Sequence, residues 1–309
     1  MTDKAAEPIA PVRITKDFAL AKCSYFVDVQ LWPRRSIIDP EGWLSNFKKS
    51  EMDHAVHLLY SFLFYSEDLV NQLFVTAFQA LSREMSAKGT PPLNLKATWR
   101  AFVDGAIITY VTGEIPNVTD SGFTFARKAR QLLGIPEDHI MSPDEALRQI
   151  YNKGARDIVF VDDFVGSGDQ FIATWQRLWD VSPSLRTSFG RVAASARGTR
   201  FFYCPLLCTQ QGYERLKQAY PEITVAPAHI VSDRYSVFSP ESIVWPPDLK
   251  HTAAKFVRNA SIRAGVRDIS WRGYNDLGLA IAFHNSVPDA TLPIIYWNES
   301  GWIPLIQRS

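Results

Sequence analysis

Residues 157–170 read Asp-Ile-Val-Phe-Val-Asp-Asp-Phe-Val-Gly-Ser-Gly-Asp-Gln. Ile158, Val159, Phe160 and Val161 form a short unbroken apolar run, which predicts a strand buried on both faces rather than an alternating, half-solvated one. Asp162 and Asp163 follow it. Gly166 and Gly168 then flank Ser167, and Phe171, Ile172, Trp175, Leu178 and Trp179 recur at helical spacing, predicting a helix that begins near Asp169. Glycines allow a sharp turn that converges several backbone N–H groups, and the helix adds its positive end, so the turn is an anion cradle. Two carboxylates beside such a cradle suit a ligand that also offers hydroxyls. A ribose 5-phosphate meets that demand, with its phosphate over Val165–Asp169 and its hydroxyls donating charge-assisted bonds to Asp162 and Asp163. The plain alternative is a structural strand end and turn.

Outward from this stretch, short apolar runs alternate with helix-length amphipathic segments. Ala106–Val111 precedes Phe123–Leu133, Phe201–Leu207 precedes Tyr213–Tyr220, and Ile223–Ile230 follows. That rhythm predicts βαβ units and an α/β fold with a parallel sheet covered on both faces. Asp120-Ser121-Gly122 stands where a helix cap belongs, ahead of Arg127 and Arg130. A capped amphipathic helix with solvated arginines reads these residues equally well.

Before the alternating region the pattern is helical. Met52, Ala55, Val56, Leu59 and Leu63 repeat at three-and-four spacing, as do Leu69, Leu73, Phe74, Ala77 and Leu81. Gly89-Thr90-Pro91-Pro92 predicts a boundary or long loop. Residues 1 to about 18 read as a loose tail, His251–Arg263 as a helix, and Leu279–Phe283 and Leu292–Trp297 as late strands or a cap. The expected division is a tail over 1–38, a helical layer over 39–100, the α/β core over 101–235 and a cap over 236–309.

The chain has 309 residues, 46% hydrophobic and 21% charged, with a formal net charge of +1. That balance fits a globular protein and gives no overall electrostatic case for nucleic acid or an anionic membrane, and the arginines of the second half read as solvated surface charge. With 3 cysteines and no secretory leader, a disulfide framework is not expected, and the chain reads as cytoplasmic. Cys204 and Cys208 sit in an apolar run and read as buried strand thiols. His54 and His57 share a helix face without a carboxylate at metal-ligand spacing, and His229 and His284 close apolar runs without a base role. No apolar run reaches the length of a membrane span.

Ile158–Gly168 resembles the phosphoribosyl-pyrophosphate motif of type I phosphoribosyltransferases: four apolar residues, two acids, a spacer and Ser-Gly. Those enzymes close the motif with a second hydroxyl residue, where this chain has Asp169-Gln170. From about Trp43 to its end the chain is similar to the phosphoribosyltransferase-like proteins of bacterial conflict and antiphage (retron-type) systems. Asp120-Ser121-Gly122, Val161–Gln170 and the tail with Asn285, Pro288, Thr291-Leu292-Pro293 and Trp297 carry the likeness. It implies a type I phosphoribosyltransferase-like core with an N-terminal helical layer and a C-terminal cap, acting on phosphoribosyl pyrophosphate or a nucleotide-like molecule at ribose C1. By this resemblance Asp162 and Asp163 are the catalytic acids. Val165, Gly166, Ser167, Gly168, Asp169 and Gln170 hold the 5-phosphate, and Ser121, Gly122 and Arg127 contact pyrophosphate. Magnesium arrives through substrate oxygens, with no metal ligand from the protein. A defence-complex protein, or a reverse transcriptase with its nucleic acid, is the implied macromolecular partner. Two other readings stand beside transfer: a module that binds such a ligand without turning it over, and an effector released by its partner.

Overall fold

The computed structural model describes residues 13–85, 91–113, 121–195, 198–267 and 269–308. The chain divides into two compact units, Met1–Ser66 with Asp233–Ser309, and Glu67–Ser232. This differs from the expected four segments, because the stretch expected as one helical layer over 39–100 is shared between the units.

The first unit begins with α1 (Lys16–Asp28), α2 (Pro40–Ser45), α3 (Met52–Ser61) and strand β1 (Leu63–Tyr65). Thr15 caps α1 by accepting from the Phe18 N–H, and Ala19 and Cys23 are buried. Part of the expected tail, Lys16–Asp28, is therefore helix. Helix α3 follows the predicted period as far as Ser61, but Leu63 belongs to β1.

The second unit holds the quoted stretch. It runs α4 (Glu67–Ala80), α5 (Pro92–Gly105), β2 (Ile107–Tyr110), α6 (Ser121–Leu133), α7 (Pro143–Lys153), β3 (Asp157–Val165) and α8 (Asp169–Gln176). A hairpin of β4 (Trp179–Ser182) and β5 (Leu185–Thr187) follows, then α9 (Phe189–Ser195), β6 (Arg200–Thr209), α10 (Gln210–Ala219), β7 (Ile223–Val225) and β8 (His229–Val231). The sheet has the order β2-β3-β6-β7, with β8 also on β6, and all these pairings are parallel. Parallel strands with helices on both faces match the predicted class. The run expected over Ile223–Ile230 is divided into β7 and β8 around Pro227, which has no N–H for the ladder.

β3 lies between β2 and β6, so Ile158, Val159, Phe160 and Val161 are all fully buried. One face packs Phe160 against Phe189 at 4.8 Å and Phe171 at 5.3 Å between ring centroids, while Trp175 stands edge-on to Phe201 at 4.9 Å. On the other face Phe102 of α5 meets Phe202 of β6 at 5.4 Å. Pro92 sits in the first turn of α5, where a missing N–H costs nothing, so the predicted break at 89–92 is followed directly by helix. Helix α8 is shorter than its apolar period suggested. It stops at Gln176, and Trp179 opens the antiparallel hairpin.

The remainder of the first unit comprises α11 (Pro247–Lys250), α12 (Ala253–Arg263), β9 (Ile281–Phe283) and α13 (Pro293–Tyr296). β9 pairs in parallel with β1, Leu63 against Ile281 through Tyr65 against Phe283. Within Leu292–Trp297 lies the short helix Pro293–Tyr296 rather than a strand, with Pro293 at its first position. Trp43 and Trp302 both donate their indole N–H to the carbonyl of Ile294, at 2.7 and 2.9 Å, so these two buried indoles keep their polar atoms satisfied.

His54 and His57 lie on one side of α3 and both are buried. His54 stacks on Phe256 at 4.9 Å, and its Nε2 lies 3.0 Å from Thr252 Oγ1 and 3.2 Å from the Leu249 carbonyl. Burial pushes both imidazoles below the ordinary value of 6.5, against the pull of Asp53 and Asp248, while His251 acts in the same sense on His54 and Arg13 on His57. The folded state thus prefers neutral rings, so their contribution is intact above pH 6.5 and is lost as the pH falls below it. The melting temperature should therefore drop on acidification from about pH 7.5 to about pH 5, and His57→Leu should shrink that drop. A wild-type melting temperature unchanged over this range would contradict the assignment.

Candidate functional site at the end of the central strand

The carboxyl end of β3 carries Asp162, Asp163 and Val165; Gly166, Ser167 and Gly168 form the turn; Asp169 and Gln170 open α8. Thus Asp162, Asp163, Val165, Gly166, Ser167, Gly168, Asp169 and Gln170 are contiguous at one place, with Gln170 exposed. The left-handed backbone of the turn is taken by Gly168, with φ 84°, where a Cβ would also stand 3.1 Å from Leu216. Any other residue there is strained in its backbone and crowded at once.

The two acids are close enough for their side chains to interact with each other. Asp162 also meets Tyr203 of β6, whose hydroxyl donates to Asp162 Oδ2 at 2.9 Å. Tyr203 in turn stacks on Phe171 with centroids 4.2 Å apart. The Asp163 N–H donates to Asp162 Oδ1 at 3.0 Å. Both carboxyls are largely buried, at 3% and 7% exposure. Burial, then the charge of Asp163, hold Asp162 well above the usual carboxylate range, while the Tyr203 hydroxyl and the Asp163 N–H pull it back. Asp162 is therefore part of the packed layer beneath α8, which the sequence alone did not indicate.

The turn is braced from α10. Thr209 Oγ1 donates to the Gly166 carbonyl at 2.6 Å and accepts from the Gly212 N–H at 2.9 Å. Gly212 is needed for this approach, since a Cβ there would fall 2.3 Å from Gly166 O. Arg215 donates to the Ser167 carbonyl at 2.9 Å and pairs with Asp169 Oδ1 at 2.8 Å. Ser167, 3% exposed, donates its hydroxyl to Asp169 Oδ2 at 2.6 Å. On the β2 side, Thr174 of α8 accepts from the Thr112 N–H at 3.0 Å, and Arg177 donates to Thr112 Oγ1 at 2.6 Å and Gly113 O at 2.8 Å. The backbone that follows β2 is thereby tied to the helix that follows the cradle.

Ser121 and Gly122 are the first residues of α6, but their side chains, and the whole of 114–120, lie outside the described residues. Arg127 is exposed on α6, and among the described residues it takes no part in the bonds that hold 166–170. Arg130 pairs with Glu137 at 2.6 Å, so it acts locally. Tyr203, Thr209 and Arg215 were missed in the sequence. Thr209-x-x-Gly212 directly after an apolar run was a legible helix cap, whereas nothing marks Tyr203 inside Phe201–Cys208. Cys204 and Cys208 are buried in β6 and burial pushes both thiols up, which matches the reading of strand thiols. Among the described residues no group of three or more His, Cys, Asp and Glu is placed to hold a metal, and no helix is long and apolar enough to cross a membrane.

The family model PRTase-CE matches residues 40–308. The chain belongs to the PRTase-CE family. Membership supports a phosphoribosyltransferase-like protein and is consistent with the mostly parallel α/β sheet around β3. No curated protein matches the sequence. The solved structure described as "Structure of AQ2163 protein from Aquifex aeolicus" aligns at 9% identity over 72% of this chain and 87% of that one, with a TM-score of 0.30, and carries no argument.

Because buried Asp162 Oδ2 accepts from the Tyr203 hydroxyl, Tyr203→Phe removes that bond from the carboxyl. A loss of about 1–3 kcal/mol in unfolding free energy is expected, measured by urea denaturation. An unchanged midpoint would show that the Tyr203 hydroxyl does not support Asp162.

Proposed function

We propose that this PRTase-CE protein binds a ribose 5-phosphate ligand, phosphoribosyl pyrophosphate or a nucleotide-like molecule, over the carboxyl end of β3. The observation that carries the reading is a central parallel strand ending in two acids and turning through left-handed Gly168 into the N-terminus of α8. The phosphate takes the N–H groups of the turn from Val165 to Asp169 and the positive end of the helix. The ribose hydroxyls donate to the acid pair. Asp163 is the nearer partner in this proposal, and Asp162, held by Tyr203, backs it from the packed layer.

The chemistry proposed at this site is displacement at ribose C1. The bond from C1 to the pyrophosphate oxygen breaks, the electron pair leaves with pyrophosphate, and a nucleophile forms the new bond to C1 and loses its proton. The protein positions the reactants and stabilises charge around an oxocarbenium-like ribose. Ser121, Gly122 and Arg127 are the proposed pyrophosphate contacts. Magnesium is proposed to arrive with substrate oxygens and water rather than in a cage of protein ligands. A second reading, binding without turnover, is favoured by the Ser167 hydroxyl being engaged by Asp169. Release of pyrophosphate from phosphoribosyl pyrophosphate separates the two.

The biological setting proposed from the family resemblance is antiphage defence with a protein partner, or a reverse transcriptase and its nucleic acid. Plaque counts on cells carrying wild type or Asp163→Asn read that role.

Isothermal titration with ribose 5-phosphate and with inorganic phosphate tests the site. Asp163→Asn keeps the size of the side chain and removes its charge. It should weaken ribose 5-phosphate by about 1–3 kcal/mol for a lost charge-assisted bond, and leave inorganic phosphate unchanged or tighter. Equal weakening of both ligands, or no change in either, would contradict ribose recognition.

A further inference from the structure

Asp169 has both carboxylate oxygens engaged at the mouth of the cradle, one by the Ser167 hydroxyl at 2.6 Å and one by Arg215 at 2.8 Å. The same Arg215 nitrogen also donates to the Ser167 carbonyl at 2.9 Å, and the Asp169 N–H lies 3.4 Å from Ser167 Oγ. The hydroxyl and the positive charge best placed to meet a phosphate are thus already spent on an anion that the protein supplies itself. Asp169 also stands in the first turn of α8, where a negative charge satisfies the helix end that an incoming phosphate would use. Two anions cannot share that position without repulsion.

We propose that Asp169 is a resident anion of the cradle, and that a ligand phosphate binds by taking the Ser167 hydroxyl and Arg215 over from it. This rests on the ribose-phosphate reading given above and deepens it, making Asp169 and Arg215 the residues that set affinity for the phosphate. The exchange is feasible because the pair is accessible: the side chains of Arg215 and Asp169 are 44% and 38% exposed, and an ion pair that wet contributes little on its own. The helix that carries Arg215 is held against the cradle independently of Asp169, and the Arg215 side chain has a second contact there, the Ser167 carbonyl. Thr209 caps α10 and bonds to Gly166 O, and Gly212 lets the first turn of α10 lie against the cradle. The loop and the arginine therefore form one braced unit, within which only the carboxylate has to turn aside.

The test is titration of the full chain with inorganic phosphate and with ribose 5-phosphate, for wild type, Asp169→Asn, Arg215→Gln and the double variant, with melting temperatures recorded alongside. Asp169→Ser is measured as well, so that poor folding of one variant does not end the test. Asp180→Asn, on the hairpin, controls for net charge. Removing the resident charge should tighten both ligands by on the order of tenfold, the scale of one like charge at a partly exposed site. Arg215→Gln should weaken both ligands and should cancel the gain when combined with Asp169→Asn. Folded Asp169 variants that bind no tighter than wild type would overturn the resident-anion proposal while leaving the cradle in place. A gain that survives Arg215→Gln, or that Asp180→Asn reproduces, would overturn the hand-over. Absence of phosphate binding in every variant, including Asp169→Asn, would remove the cradle itself and this proposal with it.

Discussion

The hydrogen bond from the Tyr203 hydroxyl to Asp162, beneath α8, is the constraint on which the site depends. A central strand of a parallel sheet has no solvated face, so a polar residue in it must find a partner among its neighbours. Asp162 finds one on β6, the adjacent strand, and Tyr203 is fixed in turn by its stack on Phe171 of α8. Strand β3, strand β6 and helix α8 are thereby joined at the level where the chain leaves the sheet. The turn from Gly166 to Gly168 begins from a defined position because of it.

Around that point the structure repeats one device, a side chain that joins the ends of neighbouring elements. Thr209 bonds both to Gly166 of the turn and to the first turn of its own helix, and Thr174 with Arg177 does the same for the segment after β2. These contacts bring three strand ends and two helix starts to one edge of the sheet. N–H groups and helix ends gathered there suit an anion, and acids beneath them suit hydroxyls. The same arrangement explains why Gly168 and Gly212 carry more weight than glycines elsewhere: one takes a left-handed backbone against Leu216, and the other allows α10 to approach the turn.

Much of this was legible in the sequence because its signal is local. The apolar run Ile158–Val161, the two acids and the glycine-flanked serine specify strand, end and turn within fourteen consecutive residues, 157–170. The alternation of apolar runs and amphipathic segments likewise indicated the parallel sheet. What remained hidden was non-local. Tyr203 looks like any residue of a buried run, and only the register of Phe160 against Tyr203 brings its hydroxyl near Asp162. The adjacent acids read as one pair in sequence and interact as one in the structure, but the phenol that holds Asp162 lies on another strand. Helix α1 escaped notice since its apolar residues do not form a clear stripe, and β1 since three residues show no period. β9, pairing with it, lies more than two hundred residues away along the chain. Arg215 shows why a charge on an amphipathic helix cannot be assigned from its own segment: its partners lie on another element.

The central claim is that the carboxyl end of β3 receives a ribose phosphate. A crystal structure of the chain with ribose 5-phosphate tests it most directly. The account predicts the phosphate within hydrogen-bonding distance of the backbone N–H groups between Val165 and Asp169, with ribose hydroxyls on Asp163. Ligand density at another place, with the turn between Gly166 and Gly168 holding only solvent, would contradict it.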